Sequence, residues 1–372
     1  MKITAVNVLH VKPRFTFVKI STDEGITGWG EAVVEGMSRT VETALQELKE
    51  FLIGEDPTRI EFLWQAMYRG LFYRGGPVLC SAISGVDQAL WDILGKSLNV
   101  PVYQLLGGSV RSRIRMYKHV IGDTTEEAVQ SAKQAVAEGF TMVKAGLEAK
   151  PRFVEGPAFI SAQVERMEAI REAIGPHIDF AIDFHGRVSP TFAIQLAKRF
   201  EKLDLLFIEE PCLPENVDAM VTVARSTSIP IATGERLYTK WGFRELLEKQ
   251  AAAIVQPDLA HCGGISEGRR IAAMAEVYYA GFAPHNPLGP INLAASLQVS
   301  AHAANFVAQE HVTLGEGYLK KPFEVNEGYI ELSDQPGLGI EVDEIQLKDM
   351  MYEGNWRSPR WFHDDDGSVA DW

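Results

Sequence analysis

Cysteine is scarce in this chain of 372 residues: Cys80, Cys212 and Cys262 are the only three. An odd, scattered set offers no disulfide framework and no thiolate cluster for a metal, which favours a reducing, cytoplasmic setting. Positive charge is short as well, with 36 Lys and Arg against 50 Asp and Glu and a net charge of −14. A nucleic-acid partner would want a basic face, so the balance argues against one. No apolar run is long enough to span a bilayer, and the first residues lack the apolar core of a signal peptide. Low-complexity segments are missing. Gly28, Gly30 and Gly36 do not stand between a strand and a helix, so they argue no nucleotide site.

What is present is an ordinary globular balance, 46% hydrophobic and 23% charged, in a length that suits a full barrel plus a smaller domain. Residues 1–112 read as an α+β unit. Strands fall at 3–11, 15–21 and 27–31, the last two joined by a turn at Asp23 to Gly25. Helical patterns follow at 40–53, 60–68 and 79–96. From Arg115 the chain alternates strand and helix. The first strand is expected at 115–120. Thr124 and Glu127 then form a capping box, with Gly139 as the stop for the helix between. Further strands are expected at 141–145 and near 179, 205, 229, 253, 281 and 306. Eight strands with helices between them predict a modified TIM barrel, (β/α)7β, over residues 113–322. Beyond about residue 322 the rhythm stops, and residues 323–372 are expected to return to the N-terminal unit.

Within this rhythm Asp183, Glu209 and Glu235 follow one another at intervals of 26 residues, each ending a short apolar run. Strand plus returning helix takes about this length, so the three acids are expected side by side on the rim where barrel active sites form. Three converging carboxylates repel unless a positive charge sits among them. Oxygen-only ligands point to Mg²⁺ rather than Zn²⁺. Isolated rim acids in solvent are the bland alternative, and three on consecutive strands weigh against it.

His185 lies two residues after Asp183 and shares its face of the strand. His285 ends the seventh strand and Asp258 the sixth, so the aspartate can orient the histidine. That arrangement puts two proton-transfer groups around one metal-bound ligand. Glu310, from the eighth strand, can hydrogen-bond a substrate oxygen or stand as a salt-bridged acid. Lys144 can neutralise a carboxylate or pair with a metal ligand, and His119 and Lys118 are weaker candidates of the same kind. Tyr73 and Arg74, in an aromatic and basic loop at 72–76, can cover an anionic ligand. The set suits proton abstraction beside a carboxylate, with a divalent cation stabilising the enediolate.

The motifs TDEG (22–25), GWGE (28–31), FYRGGP (72–77), DQALWD (87–92), DFHGR (183–187), IEEP (208–211), GER (234–236), QPD (256–258), APH (283–285), PLGP (287–290) and QE (309–310) run over nearly the whole chain. Together they resemble the mandelate racemase-like subgroup of the enolase superfamily, and within it the sugar-acid dehydratases of the galactonate type. The resemblance implies Mg²⁺ on Asp183, Glu209 and Glu235. It implies His285, assisted by Asp258, as the base at C2, and His185 as the acid for the departing 3-hydroxyl, with a 2-keto-3-deoxy acid as product. An N-terminal capping domain and a homo-oligomer are implied as well. The chain departs from the family at Lys144-Ala145-Gly146, where racemases resemble Lys-x-Lys and galactonate dehydratases Lys-x-Asn. The missing second lysine disfavours racemisation, and the missing asparagine bears on which epimer is bound. Residues 147–156 and Asn286 also differ, and His311 is a further candidate for contact with the sugar. Dehydration of D-galactonate or a close epimer is therefore the leading expectation. Gluconate or another acid sugar, an epimerase or racemase, and a non-catalytic sugar-acid binder are the alternatives.

Overall fold

The computed structural model describes residues 1–147 and 150–372, so two residues of the 147–156 segment lie outside the described residues. Three antiparallel strands open the chain: β1 (Ile3–Val11), β2 (Phe15–Thr22) and β3 (Thr27–Glu31). One face of this sheet buries Val6, Val18 and Ile20 under α1 (Ser38–Leu52), α2 (Ile60–Arg69) and α3 (Pro77–Leu98), which the short helix α4 (Val102–Leu106) follows, while Phe15 and Phe17 on the other face pack against Tyr318. Helix α3 is buried along most of its length, which its small and apolar residues permit. It meets β3 backbone to backbone: a Cβ on Gly30 would lie 1.9 Å from the Gly85 carbonyl oxygen, and one on Gly28 2.1 Å from that of Ala89. This close approach carries Glu31 and Gln88 inward together.

A short strand, β4 (Arg113–Arg115), leads into the parallel barrel. The barrel strands are β5 (Lys118–Val120), β6 (Met142–Gly146), β7 (Asp179–Asp183), β8 (Phe207–Glu209), β9 (Ile231–Thr233), β10 (Ile254–Val255) and β11 (Gly281–Phe282), hydrogen-bonded in sequence order. Their returning helices are α5 (Thr125–Ala137), α6 (Pro157–Ile174), α7 (Pro190–Phe200), α8 (Val217–Ala224), α9 (Thr239–Glu248), α10 (Gly264–Val277) and α11 (Pro290–His302). The capping box of α5 forms as its sequence predicts: Glu127 N–H donates to Thr124 Oγ1 at 3.2 Å and Thr124 N–H to Glu127 Oε2 at 3.1 Å. Residues 306–309 close the ring. Val307 N–H donates to Phe282 O at 2.9 Å on one side, and Tyr117 N–H to Gln309 O at 3.1 Å on the other. The architecture is the modified (β/α)7β barrel that the strand rhythm predicts.

The first barrel strand is shorter than the expected 115–120. Residues up to Arg115 pair antiparallel with β12 (Tyr329–Glu331), and the chain changes neighbours at Met116, which bridges Gln309. After β12 come α12 (Glu344–Met350), β13 (Trp361–Phe362) and β14 (Val369–Ala370). This tail lies against the N-terminal unit: Leu338 N–H donates to Asp92 Oδ1 at 2.9 Å and Lys12 N–H to Met350 O at 2.8 Å. Its last part reaches the barrel mouth, where Arg152 pairs with Asp365 at 2.6 Å. Among the described residues no helix is long and apolar enough to cross a membrane.

The packing of β3 on α3 generates a first prediction. Gly30→Ala has no room for its methyl group and should destabilise the protein by about 3 kcal/mol. A shift in the urea unfolding midpoint measures it, and an unchanged midpoint would contradict the close approach.

Candidate active site

A layer of side chains plugs the barrel: Tyr117, Met142, Ala181, Phe207, Ala232, Ile254, Ala283 and Ala308, one from each of the eight barrel segments. Strand side chains alternate, so the next inward position on each segment lies two residues further on. Those positions are His119, Lys144, Asp183, Glu209, Gly234, Gln256, His285 and Glu310. Almost every chemical group of the mouth thus sits one layer above an apolar plug. Gly234 is the exception. Its φ of 143° and its tight approach to Phe243 and Gln256 swing the chain, so that Glu235 takes the place.

Asp183, Glu209 and Glu235 each offer a carboxylate oxygen, and these atoms lie within 4.8 Å of one another. Asp183 and Glu209 are neighbours in the β7–β8 register. Lys144 stands among the acids, its Nζ 2.8 Å from both oxygens of Glu209, 2.9 Å from Glu310 Oε1 and 3.5 Å from Asp183 Oδ2. Burial alone would lower this lysine, but Glu209 and Glu310 outweigh it and hold it charged. Burial, reinforced by Asp183, pushes Glu209 well above the carboxylate range even with Lys144 opposing. One lysine does not neutralise the cluster. Glu235 Oε2 is buried and accepts no hydrogen bond among the described residues. Oxygen donors at this spacing, with an orphaned carboxylate oxygen among them, fit a hard divalent cation.

Two histidines stand on the outer members of this trio. His185 Nε2 lies 3.2 Å from Asp183 Oδ2, and its backbone N–H donates to Asp183 Oδ1 at 2.8 Å. His285 Nε2 lies 3.4 Å from Glu235 Oε2. Its Nδ1 is 2.8 Å from Asp258 Oδ2, and Asp258 is wholly buried. Burial works to lower both histidines. At His285 Glu235, Glu310 and Asp258 reverse the effect and hold it well above the ordinary histidine range. At His185 burial prevails over Asp183, helped by the charge of Arg187. His119 Nε2 approaches Glu310 Oε1 at 2.9 Å, while Lys118 turns outward to Glu138.

Other expected positions lie apart. Tyr73 is 86% exposed and Arg74 is exposed beside it; among the described residues neither makes a hydrogen bond or ion pair with the cluster. His311, adjacent to Glu310, faces the other way and stacks on Phe140 with ring centroids 5.9 Å apart. Gly146 sits beside Asp183 in the β6–β7 register, and among the described residues no atom lies within 4 Å of where its Cβ would be. Several neighbours of the cluster lie outside the expected set. Glu210 is wholly buried between Thr233 and Arg236, and burial with Glu235 pushes it up to about 7. Gln256 donates to Glu209 Oε2 at 2.8 Å, and the two-residue period into Asp258 could have found it. Asn292 donates to Asp258 Oδ1 at 3.0 Å from a helix, with no periodic signal to announce it.

Fold and site together define a capped barrel enzyme with an acidic trio at the strand ends. Two family models cover most of the chain: the mandelate racemase/muconate lactonizing enzyme N-terminal domain matches residues 3–107, and the enolase C-terminal domain-like model residues 127–346. The chain is 48% identical over full length, on both sides, to a D-galactonate dehydratase of Variovorax paradoxus (strain S110) and to one of Cronobacter sakazakii (strain ATCC BAA-894). Among solved structures, a mandelate racemase/muconate lactonizing enzyme from Sulfitobacter sp. superposes with a TM-score of 0.90 at 35% identity, covering 95% of this chain and 96% of that one. A member of the enolase superfamily from Salmonella Typhimurium gives 0.89 at 34%, covering 93% and 97%. The chain belongs to the mandelate racemase/muconate lactonizing enzyme family of the enolase superfamily, and it is an enzyme of the dehydratase (hydro-lyase) kind.

The position of Lys144 yields a second prediction. Lys144→Met leaves buried carboxylates without their cation and should cost about 3 kcal/mol of stability near neutral pH. The deficit should shrink as the pH falls toward 5 and the acids take up protons. Urea titrations over a pH series test this; a deficit that grows on acidification would contradict it.

Proposed function

We propose that this enzyme removes water from a sugar acid, D-galactonate or a close epimer, and that Mg²⁺ is its cofactor. The observation that carries the reading is the pair of histidines on the outer members of the acidic trio, His185 against Asp183 and His285 against Glu235. The full-length likeness to D-galactonate dehydratases supports the choice of substrate. Asp183, Glu209 and Glu235 would hold the cation. Bound there, Mg²⁺ would supply charge to stabilise the enediolate and would offset the pull of Glu235 on His285.

The chain's own residues then divide the proton work. Asp258 accepts from His285 Nδ1, which leaves Nε2 as the basic nitrogen toward Glu235 and Glu310. His285 takes the proton from C2, and the C–H electrons pass into the adjacent carboxylate. His185 gives its proton to the 3-hydroxyl oxygen as the C3–O bond breaks, so water leaves and an enol remains. The enol tautomerises to the 2-keto-3-deoxy acid. Burial, helped by Arg187, keeps His185 low, and the negative charge of the bound acid would raise it toward the protonated form this step needs. Racemisation through a second base is disfavoured because Lys144 is committed to three carboxylates. We also read the chain as a cytoplasmic homo-oligomer, supported by three unpaired, buried cysteines and by the exposed apolar side chains of Phe51, Ile53 and Phe62.

A panel of hexonates and hexarates with Mg²⁺, followed for 2-keto-3-deoxy acid, tests the activity. Turnover should appear with galactonate or an epimer and vanish on chelation. No turnover across the panel would sink the reading, and C2 deuterium uptake without water loss would point to an epimerase.

The histidine roles separate in variants. His285→Asn should abolish C2 exchange. His185→Asn should depress dehydration by about 100-fold or more while exchange survives better, general acid catalysis contributing on this scale. Exchange at the wild-type rate in His285→Asn would refute the base, and equal loss of both rates in His185→Asn would refute the acid.

A further inference from the structure

We propose that Gln88 and Asn292 are positioning residues for the Asp258–His285 pair, and that the N-terminal unit orients the base through them. The proposal rests on His285 as the base.

Asp258 is wholly buried and no lysine or arginine pairs with it among the described residues. It holds its place by hydrogen bonds. Oδ2 faces His285 Nδ1, and Oδ1 accepts from Ala260 N–H at 2.8 Å and from Asn292 Nδ2 at 3.0 Å. An amide side chain can serve that role only if its nitrogen, not its oxygen, faces the carboxylate. Which way Asn292 points is therefore decisive, and the surrounding bonds fix it.

The ordering starts from backbone groups, which cannot turn over. Glu31 N–H is a donor and faces Gln88 Oε1 at 2.9 Å; the Leu259 carbonyl is an acceptor and faces Gln88 Nε2 at 2.9 Å. Gln88 has one self-consistent orientation between them. Its Nε2 also donates to Asn292 Oδ1 at 3.0 Å, which turns the Asn292 nitrogen toward Asp258 Oδ1 and Asn286 Oδ1, the latter at 2.9 Å. Asn286 in turn donates its backbone N–H to Glu310 Oε2 at 2.7 Å. Glu31 secures the helix that carries Asn292: its carboxylate accepts Gly289 N–H at 2.7 Å and Asn292 N–H at 3.0 Å, in the opening turn of α11. A Cβ at Gly289 would fall 2.6 Å from Glu31 Oε1, so the carboxylate fits there only against glycine. Gln88, Asn292 and Glu31 are all fully buried, and Gln88 and Glu31 come from the β3–α3 contact of the N-terminal unit. Satisfied buried networks of this kind specify one geometry, and a half-satisfied one loses it.

Gln88→Met removes the donor with little change in volume. Gln88→Glu replaces it with an acceptor and turns Asn292 over, and Asn292→Leu removes the last link directly. Each should lower kcat on the order of tenfold to a hundredfold with KM held within about twofold, the pattern of a lost positioning contact. A second readout needs no substrate: the downfield proton resonance of His285 Nδ1–H, assigned by its loss in His285→Asn, should weaken or move in all three variants. A wrong choice of sugar acid thus leaves this proposal decidable. Urea titration separates folded variants from unfolded ones, and Gln88→Met, which buries no charge, decides if the other two fail to fold. Wild-type kcat in Gln88→Met, a loss confined to KM, or an unmoved resonance would overturn the proposal, whatever the change in stability.

Discussion

Buried carboxylates crowded at the mouth of the barrel are the constraint from which the rest follows. Asp183, Glu209, Asp258 and Glu310 are almost wholly shielded from water, and Glu235 stands beside them. Each repels the others, and burial raises the cost of every ionised form. The fold meets this with one committed lysine, with histidines set against individual oxygens and with donors from Gln256, Ala260 and Asn292. Glu235 Oε2 is left without a donor, so the cluster remains short of positive charge at the point where the trio converges.

The same constraint explains why the N-terminal unit and the barrel are packed so closely. A carboxylate such as Asp258 needs directed donors, and a barrel strand end offers few. Besides Ala260 N–H, its donor is Asn292 from α11, and α11 is held by Glu31, which enters from the far side of the interface. Glu31 reaches α11 because β3 lies against α3 with no intervening side chain at Gly30 and Gly85. Two glycines in the N-terminal unit are thus linked through four contacts to the histidine at the end of β11.

Much of this was legible in the sequence, because barrel geometry converts spacing into position. The interval of 26 residues from Asp183 to Glu209 becomes adjacency in the β7–β8 register. The two-residue period links Ala181 to Asp183, Phe207 to Glu209, Ala283 to His285 and Ala308 to Glu310, each an apolar plug residue below a polar one. The same period shows why His311 is a poor candidate for the cluster: one residue from Glu310, it must face the other way, and it stacks on Phe140. Asn292, Gln88 and Glu31 gave no such signal. Their contacts join positions 204 and 261 residues apart, and only the folded chain brings them together. Tyr73 and Arg74 stand differently: an aromatic and basic loop is legible in sequence, but its exposed side chains are not placed against the cluster by any strand period.

The two histidines differ more in surroundings than in chemistry, and that difference bears on their division of labour. Acid and base roles fall to pairs whose environments push their proton affinities apart. His285, facing Glu235, Glu310 and Asp258, is held well above the ordinary range, whereas burial holds His185 below it. Taken alone this order opposes the proposed roles, since a base must start neutral. Two charges enter with the reaction, however. Positive charge at the trio would offset Glu235, the strongest of the attractions on His285, and lower that histidine. In the proposed reaction the substrate's carboxylate would add negative charge near His185 and raise it. On the proposed roles the working order is the reverse of the unliganded one, and the acidic cluster makes that order sensitive to charge brought to the trio.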